Sequence, residues 1–99
     1  MPHQVPREVA EDIGPFLSQV AEFGYQPTDS RYDSQSFGNY YVDLLAGKTS
    51  LRIVRDRSQY YIDAKSTDQL RESGMLRAYD DRRAFEQAVL EWLRSLTSA

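Results

Sequence analysis

The spacing of hydrophobic and polar positions changes twice along this chain. From Val9 the apolar residues fall at 9, 13, 16, 17, 20 and 23, steps of three and four that predict a helix with one apolar face. Between Phe37 and Ala64 (FGNYYVDLLAGKTSLRIVRDRSQYYIDA) the spacing drops to two, and Val, Ile, Leu and Tyr dominate. The helical period returns at Phe85, with Phe85, Val89, Trp92, Leu93 and Leu96 on one face and Arg82, Arg83, Glu86, Glu91 and Arg94 largely off it.

The central stretch predicts its own register. A turn at Gly47-Lys48 pairs Leu44 with Leu51, Asp43 with Arg52, Val42 with Ile53 and Tyr41 with Val54. A second turn over Asp56 to Gln59, begun by an Asx-type bond from Asp56, pairs Val54 with Tyr61, Ile53 with Ile62, Arg52 with Asp63 and Leu51 with Ala64. Residues paired across strands share a face, so the two registers can be checked against each other. They agree. One face gathers Val42, Leu44, Leu51, Ile53, Ile62 and Ala64, with Tyr40 and Tyr60 at one end. The other gathers a row of Asp43, Arg52 and Asp63 and a row of Tyr41, Val54 and Tyr61. A slip of one residue would expose the apolar set, so the register is strongly specified.

Around this meander, residues 1–7 read as a loose arm. Pro15 is tolerated in a first helical turn, which makes Asp12 the expected N-cap of a firm helix over 13–23, with a kinked or separate turn before it. Gly24 ends that helix. Tyr25 to Ser36 (YQPTDSRYDSQS) shows neither period and reads as a loop of about twelve residues, a length often tied to function. Ser66 with Gln69 suggests a capping box and a short helix before Gly74, after which Met75, Leu76 and Tyr79 return to the core. Asp80 or Asp81 caps the last helix. The expectation is a single α+β domain over residues 1–99, in which an N-terminal helix, a three-stranded antiparallel β-meander and a C-terminal helix form two layers. Both helices cover one sheet face.

Composition narrows the function. A chain of 99 residues buries roughly 60–70% of its unfolded surface, enough to fold without cross-links. It has no cysteine, no apolar run near the ~20 residues of a membrane span and no signal-peptide pattern at its start, so the expected location is the cytoplasm. A net charge of −3, with bases interleaved among acids, argues against nucleic-acid binding and favours basic partners. Seven tyrosines suit both strands and binding surfaces.

Catalytic motifs, metal-ligand spacings and cofactor signatures are absent, and His3 stands alone in the arm. Asp43 and Asp63 supply one enzyme hypothesis. Two strand spacings, roughly 9.5 Å, would separate them on the open face, near the upper carboxylate separation of an inverting glycosidase. Arg52 between them favours ionised carboxylates, the wrong direction for a general acid, and a cross-strand charge ladder is the simpler reading. Tyr41 and Tyr61 could stack bases, but the neighbouring acids would repel phosphate.

The segments Ser36-Phe37-Gly38-Asn39 and Leu51-Arg52-Ile53-Val54-Arg55-Asp56-Arg57-Ser58-Gln59 resemble a core motif of small bacterial proteins, SFG followed by LR-hydrophobic-VRDR-G/S-Q. Some of those proteins resemble immunity proteins of polymorphic-toxin systems in size, acidity and α+β build. The resemblance covers about a quarter of the chain. It supports the fold more than the function and implies an immunity-like role; the Tyr and Arg cluster on the open face, residue types enriched at interfaces, points to a non-enzymatic protein-binding module without cofactor or metal. The contact would use Tyr41, Asp43, Arg52, Val54, Tyr61 and Asp63 on the open face, Tyr32 in the 25–36 segment and Arg57 at the second turn. The partner is expected to be another protein, not nucleic acid or membrane. A homodimer through the same face and a small carboxylate-dependent hydrolase are the alternatives.

Overall fold

A computed structural model describes residues 4–35, 38–63 and 77–97, excluding the side chains of 96 and 97. Helix α1 (Arg7–Ala21) leads into four strands, β1 (Gln26–Asp33), β2 (Asn39–Ala46), β3 (Thr49–Asp56) and β4 (Gln59–Asp63), followed by helix α2 (Arg82–Thr97). The strands form one antiparallel sheet in chain order. Both helices pack on the same face of it. Their apolar stripes meet Val42, Leu44, Leu51, Ile53 and Ile62 in one buried cluster. Phe85 is its centre, with its ring 5.6 Å from Tyr60 and 5.9 Å from both Phe16 and Tyr79. Among the described residues no helix is long and apolar enough to cross a membrane.

The register of β2, β3 and β4 is the one their turns dictate: Val42 faces Ile53, Asp43 faces Arg52, Val54 faces Tyr61 and Arg52 faces Asp63. The Leu51–Ala64 pair lies outside the described residues, as does the capping-box segment after it. Gly47 takes φ 61, accessible at little cost only to glycine. The β3–β4 turn is made differently from the expected Asx turn. Arg57 and Ser58 both adopt left-handed φ values, 52 and 66. The Asn39 side chain supports them, accepting from the Arg57 N–H at 2.9 Å and donating to Asp56 Oδ1 at 3.1 Å.

Three expectations are corrected. The 25–36 segment is no loop: Gln26–Asp33 is a fourth strand paired with β2, which makes the meander four-stranded. Its core side carries only half-buried Pro27, Ser30 and Tyr32, so it has no apolar alternation to betray it. A proline is tolerable there because β1 is an edge strand with a register break between Pro27 and Asp29.

Asp12 is not an N-cap. Helix α1 starts at Arg7, after Pro6, and breaks at Ile13 (φ −128, ψ 19) rather than beginning there. Pro15 accounts for the break, since it lacks the N–H that would bond Glu11 and its ring crowds that carbonyl. The helix also stops at Ala21 rather than 23, and Gly24 (φ 91) sits beyond it. Tyr25 N–H reaches Val20 O and Gly24 N–H reaches Ala21 O, the paired bonds of a Schellman ending. At α2, Asp81 caps as expected, accepting the Ala84 N–H at 3.2 Å. Tyr79 also returns to the core, exchanging two 2.8 Å backbone bonds with Tyr60.

Candidate functional site

The sheet face turned away from the helices is built from alternate residues of all four strands. Its middle rows are Asp29, Asp43, Arg52 and Asp63, then Arg31, Tyr41, Val54 and Tyr61. Arg52 grips Asp43 through two bonds, Nε to Oδ1 at 2.6 Å and Nη2 to Oδ2 at 3.0 Å. Its guanidinium also lies 4.1 Å from the centre of the Tyr41 ring. The Asp43 hydrogen bond, more than any other influence, pushes the Arg52 guanidinium pKa above its ordinary value. Tyr61 is shifted upward as well, first by burial, then by Asp56 and Asp63.

This face is not flat. An open hollow of about 290 Å³ lies over Val54, walled by Tyr41 and Tyr61 and rimmed by three acids, Asp33, Asp56 and Asp63, and three bases, Arg31, Arg52 and Arg55. A second, of about 450 Å³, lies beyond the Arg52 row, beside Thr28, Leu45 and Ser50. Leu45, 42% exposed, is the one large exposed hydrophobic side chain among the described residues. The twist of an antiparallel sheet makes such a face concave along its diagonal.

Of the expected site residues, the structure brings together Tyr41, Asp43, Arg52, Val54, Tyr61 and Asp63. Tyr32 does not join them. It pairs with Tyr40 on the helix-covered side and packs against the core. Arg57 is exposed at the tip of the β3–β4 turn, outside both hollows. Asp43 and Asp63 face each other across Arg52, whose guanidinium is bonded to Asp43.

Both sheet edges are blunted. Along β1 the register break and Pro27 interrupt the ladder, and the Ser30 N–H is met by its neighbour's carboxylate, Asp29 Oδ1, at 2.9 Å. The β4 edge carries the bridge to Tyr79.

A second polar cluster, absent from the sequence-based reading, lies under the opposite face where α1 and α2 cross the sheet end. Asp12 Oδ2 accepts the Tyr40 hydroxyl at 2.6 Å and the Tyr60 hydroxyl at 2.8 Å. Arg82 Nη1 donates to the Asp12 backbone O at 3.0 Å and approaches Oδ1 at 3.4 Å. Burial pushes the Asp12 pKa up, but the two hydroxyls, Arg55 and Arg82 outweigh it and the carboxyl ends below its ordinary value. Tyr60 is pushed up to about 12, by burial first and then by its bond to Asp12, and Tyr40 rises further for the same reasons. Every strong hydrogen-bonding group around Asp12 belongs to the frame that joins both helices to the sheet. Two signals mark the cluster in the sequence: an acid on the apolar stripe of α1, three residues after Val9 and four before Phe16, and two tyrosines at the end of the core face whose hydroxyls need an acceptor.

No family model, curated protein or solved structure matches this chain.

Proposed function

We propose that this domain is a non-enzymatic protein-binding module whose contact surface is the open sheet face, and that it acts as an immunity-like protein by occluding part of its partner. One observation carries the reading. The face gathers two half-buried tyrosines, Val54, an arginine and exposed Leu45 around two shallow hollows, while both sheet edges are blunted and the opposite face is filled by helices. Tyrosine and arginine are the residue types that dominate interface energetics. The charges of Asp43 and Arg52 are already matched to each other, so their partnership is built before any partner arrives.

The test is capture of partners from the native host with the tagged domain, beside a Tyr41→Ala/Tyr61→Ala variant. The captured protein is then purified and titrated against both forms. The reading expects a saturable complex of fixed stoichiometry that the variant loses while keeping its melting temperature within a few degrees. A partner held equally by both forms would move the contact elsewhere.

A further inference from the structure

The hollow over Val54 sets an apolar floor and two tyrosine rings inside a rim whose charges cancel, three acids against three bases. Each of the acids already has company within the domain. Asp33 Oδ1 accepts the Gln35 N–H at 3.0 Å, and Asp56 Oδ1 accepts from the Asn39 side chain at 3.1 Å. Asp63 lies beside the Arg52 charge, and Arg52 is itself held by both oxygens of Asp43. Arg55 Nη1 donates to the Gly38 carbonyl at 3.3 Å. A charged group entering here would meet no net opposite charge and would lose its water, a cost that only a dedicated counter-charge offsets. An uncharged occupant escapes that cost.

The walls fit a ring. Tyr41 and Tyr61 flank Val54 on the two neighbouring strands, so their backbones stand two strand spacings apart, roughly 9.5 Å. Aromatic pairs favour centroid separations of about 4.5–7 Å, offset or edge to face, so one ring placed between the two can contact both. Among the described residues no aromatic ring packs on either tyrosine; the ring pairs all gather at Phe85. A cavity of about 150 Å³ holds benzene, so a hollow of about 290 Å³ has room for one larger ring and not for a folded segment. Resting on the binding-module reading above, we propose that this hollow receives an uncharged aromatic side chain of the partner protein, a tyrosine or a tryptophan, with its ring on Val54 between Tyr41 and Tyr61. Its O–H or N–H edge meets the acids of the rim. Ring packing rather than charge carries such a contact, so salt should leave it intact.

The test is an NMR titration of the full ¹⁵N-labelled chain with Nα-acetyl-tyrosine amide, beside the leucine, arginine and glutamate analogues. The expected result is saturable amide shifts centred on Tyr41, Val54 and Tyr61, with tyrosine bound about fivefold tighter than leucine and both charged analogues weaker still. Val54→Phe fills the hollow from within and should abolish those shifts while leaving the remaining spectrum in place. Equal or tighter binding of any other analogue, shifts that persist in Val54→Phe, or no saturable shift at all would overturn the proposal. So would amides that move with protein concentration, which would give the hollow to a second copy. The captured partner separates this claim from the one it rests on. Its affinity should change by less than about twofold when salt is raised about tenfold, and Val54→Phe should weaken it by about tenfold or more. A partner lost by the tyrosine variant but weakened about tenfold by salt, or held at full strength by Val54→Phe, ends the aromatic assignment and leaves the binding module standing. A partner held equally by the tyrosine variant ends both.

Discussion

Strands β2 and β4 each place one tyrosine of a pair on either side of the sheet: Tyr40 and Tyr60 toward the helices, Tyr41 and Tyr61 toward the open face. Each pair is accompanied by aspartate and arginine. Beneath the sheet these are Asp12 and Arg82; above it, Asp43, Asp63 and Arg52. The same residue types do different work because of what surrounds them. Below, both hydroxyls converge on one carboxylate oxygen and the tyrosines are about 5% exposed, so removing Asp12 leaves two buried tyrosines without their acceptor. Above, water can replace a lost partner, so the cluster adds little to stability and remains available to a second molecule.

The largest expected effect is at Asp12. Asp12→Ala leaves the Tyr40 and Tyr60 hydroxyls without their acceptor, while Arg82 keeps its bond to the backbone oxygen of residue 12, and should cost about 3 kcal/mol in urea denaturation, against at most about 1 kcal/mol for Asp43→Ala. Equal losses at the two positions would erase the distinction. A smaller effect separates the hydroxyls. Tyr60→Phe removes a bond to a charged acceptor and should cost about 1.5 kcal/mol, whereas Tyr61→Phe should change stability by less than ~0.5 kcal/mol.

Acid should distinguish the clusters too. The Asp12 pKa is lower in the folded protein than in the unfolded chain, so its contribution is present above the ordinary value of 3.8 and is lost as pH falls through the folded value. Glu86, near Arg82, is shifted upward, chiefly by burial. Its contribution is present below its ordinary value of 4.5 and is lost as pH rises through the folded value, partly opposing Asp12. Melting temperature should therefore fall in acid, and Asp12→Asn should flatten that fall. An unchanged acid limb in Asp12→Asn would place its origin elsewhere. The smallest expected effect is at the surface ion pair. A double-mutant cycle on Asp43 and Arg52 should return a coupling of about 0.5–1 kcal/mol that shrinks in high salt.

The sequence made the open face legible and hid the frame beneath it, for physical reasons. In β2, β3 and β4 the alternate positions Tyr40, Val42, Leu44, Leu51, Ile53, Tyr60 and Ile62 are apolar and both turns are short, so alternation and loop length fix the same register. Strand β1 has no fully buried residue, its core side carrying only half-buried Pro27, Ser30 and Tyr32, because an edge strand needs little more than backbone pairing. Its fold is decided by β2, not by its own composition. At Asp12, three residues after Val9 and one before Ile13, a capping acid and a core acid look alike in the sequence. What separates them is whether tyrosines elsewhere need an acceptor, which is a tertiary question. The face of Tyr32 is hidden for the same reason: it can be assigned only once β1 is known to pair with β2.

The central claim is that the sheet has a structural side and a free side, and thermal denaturation of two double variants tests it most directly. Tyr40→Phe/Tyr60→Phe deletes only two oxygen atoms from the helix-covered side. Tyr41→Thr/Tyr61→Thr deletes both rings from the open side while keeping residues that suit strands. The account predicts that losing two buried oxygens lowers the melting temperature by about 10 °C or more and that losing two half-buried rings lowers it by less. The reverse order would mean that the open face is part of the core and is not free to bind.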